Sequence, residues 1–201
     1  MRIGVLALQG DFLEHMNALR ALDVDAVEVR TTEEFARCDG LILPGGESTT
    51  MSMLLESSGI VPLLRQRIDE GFATFGTCAG MILLASEIAD GRPDQIRLGA
   101  LDIRVRRNGF GRQLRSFQAD VDLSEVGDPP MRAVFIRAPA IERVGEGVEV
   151  MASVDYQFAD GHQERVPVVC RSGSVLASAF HPELTGDTRL HAYFVKLVES
   201  Q

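Results

Sequence analysis

The sequence has no tryptophan, only two tyrosines and a single lysine, Lys196, among its 201 residues. Its positive charge is therefore almost all arginine, and 20 basic residues face 29 acidic ones for a formal net charge of -9. No basic run offsets that excess, which argues against a general nucleic-acid binder. Long apolar runs are missing as well. No segment approaches the roughly 20 residues needed to span a bilayer, so no membrane partner is expected. The stretch from Met1 to Leu8 is apolar but too short for a secretory core, and it runs at once into Gln9, Gly10 and Asp11. Cysteine is scarce too: Cys38, Cys78 and Cys170 are odd in number and widely spaced, which suits neither a disulfide framework nor a Cys-x-x-Cys metal site. A reducing cytoplasm fits best, and neither metal nor cofactor is expected.

What is present is a globular composition, 45% hydrophobic, enough at this length for one water-soluble domain over residues 1–201 with a substantial core. The densest signal is Phe75-Gly76-Thr77-Cys78-Ala79-Gly80. An apolar run (Phe72, Ala73, Phe75) stops at a glycine, presents one thiol and enters another apolar segment. This reads as a nucleophile elbow, in which a strand, a sharp turn and a helix over about 79–85 hold Cys78 strained and exposed. The small residues Gly76, Ala79 and Gly80 let the backbone close up. A helix N-terminus behind the thiol favours negative charge, lowering its pKa and helping an oxyanion to form. The plainer alternative is a small, inert core cysteine.

Upstream, Ile3 to Leu8 has the continuous apolar pattern of a strand buried on both faces. Phe12, His15, Met16, Leu19 and Leu22 then recur at helical spacing, and Ala26 to Val29 is a second short strand. His15 falls on or beside that apolar face and is expected to be packed or capping rather than catalytic. The strand Gly40 to Leu43 ends in Pro44-Gly45-Gly46-Glu47-Ser48-Thr49-Thr50. Two glycines there let backbone N–H groups point at a ligand. The alternative is a tight turn in which Ser48 or Thr49 caps the next helix, with Met51, Leu54 and Leu55 on its inner face and Gly59 stopping it. The loop lacks the Gly-Lys-Ser/Thr ending of a phosphate loop. A helix from Val61 to Glu70, with Pro62 in its first turn, leads to the strand before Cys78. This alternation predicts an α/β fold: a mostly parallel, flavodoxin-like sheet flanked by helices, with right-handed crossovers. Ligands on such sheets gather at the strands' carboxyl ends, so Gln9-Gly10, Gly45-Gly46 and Cys78 are expected on one rim.

The C-terminal half adds strands, expected to be antiparallel, at Leu98 to Val105, Ala133 to Pro139, Val148 to Val154 and Val166 to Cys170. Arg106 to Gln113 reads either as a solvated arginine face or as a hairpin-like loop. Val175 to Phe180 is another apolar strand, and it delivers His181-Pro182-Glu183 to its carboxyl end. An imidazole there can take a thiol proton while the carboxylate fixes its tautomer, which makes Cys78, His181 and Glu183 a candidate triad. Taken singly, His181 and Glu183 read as an ordinary half-buried histidine and a helix-proximal acid; the elbow and the Pro-Gly-Gly loop weigh against that. The last helix shows one stripe of Leu190, Tyr193, Phe194 and Leu197, with His191 off it as a surface or structural residue.

In that order, Pro44-Gly45-Gly46-Glu47-Ser48, Gly76-Thr77-Cys78-Ala79-Gly80 and His181-Pro182-Glu183 resemble the class I, triad-type glutamine amidotransferases. Val5 to Gly10, Leu43 to Thr50, Arg107-Asn108 with Phe110-Gly111-Arg112-Gln113, and Phe135-Ile136-Arg137-Ala138-Pro139 resemble, more narrowly, the glutaminase subunits of pyridoxal 5'-phosphate synthases over essentially the whole chain. The resemblance implies hydrolysis of L-glutamine: Cys78 attacks the amide carbon, and His181, held by Glu183, protonates the leaving ammonia and then activates water. It implies oxyanion donors at Gly45, Gly46 and Ala79, glutamine contacts from Gly46, Glu47, Ser48, Arg107, Ile136 and Arg137, and support of the loop by Gln9. It also implies a hetero-oligomeric complex with a synthase subunit that receives the ammonia, and poor activity without it. Two departures stand out. Gly109 sits where serine is expected, which would loosen the loop carrying Arg107, and residues 156–165 are longer than the family's usual turn, predicting a lengthened hairpin.

Two alternatives remain. A glutaminase subunit of a different amidotransferase keeps the triad but lacks the Arg-Asn-x-Phe-Gly-Arg-Gln and Phe-Ile-Arg-Ala-Pro segments. A cysteine-dependent hydrolase of similar fold, or a binding module without catalysis, need not carry His-Pro-Glu. Glutamine is expected to slow alkylation of Cys78, followed by mass spectrometry of the labelled peptide; equal rates with and without glutamine would point to the last alternative.

Overall fold

The computed structural model describes residues 1–110, 116–158 and 161–201. Four strands, β1 (Arg2–Leu6), β2 (Asp25–Val29), β3 (Gly40–Leu43) and β4 (Ala73–Thr77), alternate with α1 (Phe12–Arg20), α2 (Thr32–Phe35), α3 (Ser48–Ser57) and α4 (Val61–Asp69). After β4 come α5 (Ala79–Leu84), β5 (Ala85–Ile88), β6 (Leu101–Arg106), β7 (Ser116–Val121), β8 (Met131–Ile136) and β9 (Ala140–Val144). The chain ends through β10 (Glu149–Gln157), β11 (Gln163–Ser172), β12 (Val175–Ser178) and α6 (Arg189–Glu199).

The central sheet runs β10-β11-β12-β4-β3-β1-β2. Its β12, β4, β3, β1 and β2 are parallel, and β10 and β11 extend one edge antiparallel. The mostly parallel α/β sheet is thus the architecture observed. Residues of β3, β4 and β12 are buried throughout, as strands covered on both faces must be, and their apolar runs follow from that. Phe75, Phe180, Phe194, Leu41, Leu43 and Met51 fill the layers on either side. Among the described residues no helix is long and apolar enough to cross a membrane.

Several elements differ from the sequence reading. β6 and β7 do not pair as one hairpin: β6 pairs with β5 and β9 while β7 pairs with β8. The alternating burial of β6 and β8 marks each as a strand but carries no information on its partner. Gly111, Arg112 and Gln113 lie outside the described residues. β10 and β11 form a hairpin whose ladder runs out to Gln157 opposite Gln163; residues 159–160 lie outside the described residues. Helix α2 had a legible signal in Thr31-Thr32-Glu33-Glu34. Thr31 Oγ1 accepts from Glu34 N–H and the Glu34 carboxylate accepts from Thr31 N–H, a reciprocal capping box.

On α6 the buried face is Leu190, His191, Phe194 and Val198, so His191 is an interior residue rather than a surface one. A polar partner makes this possible: His191 Nε2 lies 2.9 Å from His15 Nδ1 on α1. Both rings pack against Phe75 of β4. Burial pushes the pKa of His15 well down and that of His191 to about 4, so both rings are neutral at pH 7. The other two cysteines are packing residues. Burial raises the Cys38 thiol to about 11 and the Cys170 thiol to about 12, which keeps both protonated and unreactive.

Two outcomes follow from this packing. A Cβ on Gly80 would overlap the backbone carbonyl of Leu43, so Gly80→Ala pushes α5 off β3 and should cost about 3 kcal/mol or more in urea unfolding. At Gly71, where φ is +96° and nothing stands within 4 Å, the same change should cost only about 1–2 kcal/mol; equal effects at the two sites would deny the tight β3–α5 contact. The second outcome concerns acid. An unfolded histidine titrates near 6.5 and folded His191 near 4, so between those values the folded state binds fewer protons. Stability that is full above pH 6.5 is then lost as pH falls toward 4, by on the order of 3 kcal/mol for this group. His191→Phe should flatten the fall in unfolding free energy across that window; an unchanged slope would mean that His191 is not held neutral.

Candidate active site

Cys78 occupies the turn between β4 and α5 with φ 47° and ψ -102°, a conformation that costs a non-glycine residue of order 1–3 kcal/mol. Neighbours over-determine it. Cys78 N–H donates to Ser178 O at 2.8 Å, extending the β4–β12 ladder beyond Thr77, and Cys78 O accepts from Ile82 N–H at 3.3 Å. The close approach of Gly80 to Leu43 fixes the far side of the turn. The thiol therefore stands at the carboxyl-end rim, buried rather than exposed as the sequence suggested, and Ala79 N–H lies in the first helical turn, where no intrahelical acceptor exists.

Because β12 pairs with β4 in parallel, Ser178 opposite Thr77, the chain beyond β12 leads His181 to the same rim. His181 N–H donates to Val134 O at 2.9 Å, tying this segment to β8. The imidazole Nδ1 lies 2.7 Å from Glu183 Oε1, with both side chains buried. A carboxylate only accepts, so Nδ1 carries the proton and Nε2 is left for Cys78. Burial lowers the pKa of His181, but hydrogen bonds and charge from Cys78 and Glu183 outweigh it and hold the imidazole above its ordinary value, at about 10. Burial raises the Glu183 carboxyl, partly offset by its bond to His181. Asp11 adds a second carboxylate, its Oδ2 3.5 Å from His181 Nδ1. Asp11, His181 and Glu183 place ligand-type atoms within 4.8 Å of one another, yet a protonated Nδ1 has no lone pair to give a metal.

The glycine loop closes over this pair. A Cβ on Gly45 would overlap the His181 ring, and Gly45 O accepts from Asp11 N–H at 3.3 Å. Glu47 N–H donates to Gln9 Oε1 at 3.0 Å, which ties the loop to the end of β1. The cap of α3 is Glu47, not Ser48 or Thr49: its carboxylate accepts from Thr49 N–H at 3.0 Å and from Thr50 N–H at 2.7 Å and hydroxyl at 2.8 Å. One carboxylate satisfies two orphan N–H groups where a hydroxyl satisfies one, and Ser48 becomes the buried first residue of the helix. Burial pushes the Glu47 carboxyl up, but these bonds prevail and hold it below its ordinary range.

Together these elements line a cavity of about 400 Å³. Of the residues singled out from sequence, Gln9, Gly46, Glu47, Ser48, Cys78, Arg107, Ile136, Arg137 and His181 are in its wall, joined by Gly10, Asp11, Ile82 and Asn108. Gly45, Ala79 and Glu183 are not part of its wall. Ile136 O is 3.9 Å from Cys78 Sγ, placed there by Arg137 at φ 45°. Arg107 is held by Thr49 Oγ1 at 3.2 Å and by Asp90, whose carbonyl accepts from Nη2 at 2.8 Å and whose carboxylate accepts from Arg107 N–H at 2.8 Å. Nothing in the sequence pattern marked Asp90 or Asp11, since each acts through a contact distant along the chain. Gly109 does not loosen the Arg107 loop. It packs so closely on Ala140 that a Cβ would overlap it, and its N–H donates to Ala138 O at 3.0 Å. A larger, more open groove of about 890 Å³ along β7 and β8 shares Ile136 and Arg137 with the cavity but reaches none of Cys78, His181 and Glu183.

Residues 5–200 match the model of the SNO glutamine amidotransferase family. The chain is 54% identical over 198 residues to the pyridoxal 5'-phosphate synthase subunit PdxT of Mycobacteroides abscessus, covering 98% of this chain and 97% of that protein. It is 52% identical to the protein of the same name from Frankia alni, covering 99% and 96%. A solved structure described as the crystal structure of glutamine amidotransferase is similar throughout, with a TM-score of 0.88 at 51% identity over 98% of each chain. Family match, relatives and fold span the same residues from β1 to α6, and the chain belongs to the SNO glutamine amidotransferase family.

Proposed function

We propose that this chain is the glutaminase subunit of a pyridoxal 5'-phosphate synthase, hydrolysing L-glutamine to L-glutamate and ammonia and passing the ammonia to a synthase subunit in a hetero-oligomeric complex. The observation that carries this reading is the convergence of Cys78, the His181–Glu183 pair and Arg107 on one cavity, in a chain so similar from end to end to synthase subunits of that name. The cavity volume suits one amino acid. The whole chain works as one amidotransferase domain, in the cytoplasm and without a cofactor.

Glutamine enters with its carboxylate toward the Arg107 guanidinium, and the backbone of Gly46, Glu47, Ser48, Ile136 and Arg137 fixes its remaining polar groups. Cys78 Sγ, deprotonated by His181 Nε2, attacks the side-chain amide carbon. The C–S bond forms as the carbonyl oxygen takes negative charge, which N–H groups of the Gly45-Gly46 loop and Ala79 stabilise. His181 returns the proton to the amide nitrogen, the C–N bond breaks and ammonia leaves. His181 then takes a proton from water, hydroxide attacks the thioester, and glutamate and the thiol are released. Glu183 keeps Nδ1 protonated throughout, so Nε2 alternates between accepting and donating. Gln9 acts at one remove, through Glu47 N–H.

The test is glutamate release from glutamine by the chain alone and with a pyridoxal 5'-phosphate synthase subunit. Strong stimulation by that subunit is expected, with Cys78→Ala reducing turnover by at least a thousandfold while still co-migrating with the subunit in size-exclusion chromatography. Full activity without the subunit would favour a glutaminase serving another synthase, and turnover by Cys78→Ala would move the nucleophile elsewhere.

A further inference from the structure

The triad acid has two oxygens, and only one is used by His181. Glu183 Oε2 is buried and, among the described residues, has no hydrogen-bond partner. His15 Nε2 of α1 stands 3.4 Å from it. The same nitrogen is 3.1 Å from Thr77 Oγ1, the residue before the nucleophile. On its other side His15 Nδ1 meets His191 Nε2 at 2.9 Å, and His191 Nδ1 has no partner among the described residues. His15, Thr77 and His191 are completely buried.

These contacts select one tautomer of each ring. If His15 carried its proton on Nδ1, its Nε2 lone pair would face a carboxylate oxygen, and His191 Nε2 would have to accept. The proton of His191 would then sit on Nδ1 as a buried donor with no acceptor. Two faults arise together, each costly in an interior. With the protons on His15 Nε2 and His191 Nε2, only an unused lone pair on His191 Nδ1 remains. The His15 N–H then points at Thr77 Oγ1 and Glu183 Oε2.

We propose that His15 and His191 are a positioning dyad for the triad carboxylate: His191 fixes His15 as the Nε2–H tautomer, and that N–H orients Glu183 through Oε2 and the elbow through Thr77. Neither ring touches the substrate; both act through Glu183. The 3.4 Å separation is long for a hydrogen bond, and catalytic contacts of this kind tighten in the substrate complex. Three charged or titratable groups face the Glu183–His181 pair: Cys78 at the β4–α5 turn, Asp11 ahead of α1, and His15 on α1. Asp187, ahead of α6, bears on His191. Removing the His15 donor leaves the carboxylate more basic. The Glu183–His181 pair then takes up its extra proton at higher pH, and the acid limb of kcat/KM moves upward.

The inference rests on the proposed glutaminase reaction and is tested in the complex with the synthase subunit. His15→Phe and His191→Phe should stay folded by thermal melting and keep KM. They should lose kcat by about ten- to a hundredfold, the scale known for hydrogen-bond partners of metal-bound groups, with the acid limb displaced upward. His15→Gln, whose amide N–H reaches the place of Nε2, should recover most of kcat and the wild-type limb. Wild-type kcat and pH profile in both phenylalanine variants, after scaling to the folded fraction, would overturn the dyad. So would a ¹⁵N-histidine spectrum of the unmodified chain showing His15 protonated on Nδ1. A wild type that releases no glutamate would fail the functional reading instead, and the tautomer spectrum, which needs no turnover, would still decide the dyad.

Discussion

The hydrogen bond from Cys78 N–H to Ser178 O joins the two strands on which everything at the rim depends. It continues the parallel pairing of β4 and β12 past the end of β4 and holds the left-handed backbone of the elbow in place. It also sets where the chain leaves β12, and hence where His181 arrives. A single bond nets only about 1 kcal/mol, no more than the strain it opposes. The balance comes from α5, whose six residues are all buried behind the turn, so Cys78 is kept strained by the burial of a short apolar helix.

Charge is distributed around the cavity with the same economy. The acidic excess of the chain is mostly on its exterior, but Asp11 and Glu183 lie on one side of His181. The cations Arg107 and Arg137 stand in the cavity wall. Asp90 and Thr49 hold the Arg107 guanidinium by its edges, which fixes its direction and limits its side-chain freedom.

Where local chemistry decides an element, the sequence was readable. The buried runs of β1, β3, β4 and β12, the helix stop at Gly59 and the elbow at Cys78 each follow from residues within a few positions, and the parallel sheet follows from their alternation. The pairing of the later strands was less readable, because a period of two marks a strand without naming its partner; β6 and β7 looked like one hairpin and belong to different sheets. Side-chain roles that act at long range were the least readable. Glu47 looked like a ligand contact and is also a helix cap, because its carboxylate reaches two backbone donors at once. His191 looked peripheral because a histidine between apolar positions reads as polar, and only His15, far away in sequence, makes its burial tolerable.

The insertion of β12 beside β4 has a consequence for synthesis. Cys78 and His181 are separated by roughly half the chain, yet the strands that lead to them are neighbours in the middle of the sheet. An emerging polypeptide that has already formed β1 to β4 carries Cys78 without His181, and its sheet has an open edge at β4 where β12 will later pair. The topology therefore works as a timer: Cys78 and His181 meet only once β12 has been made and has paired with β4.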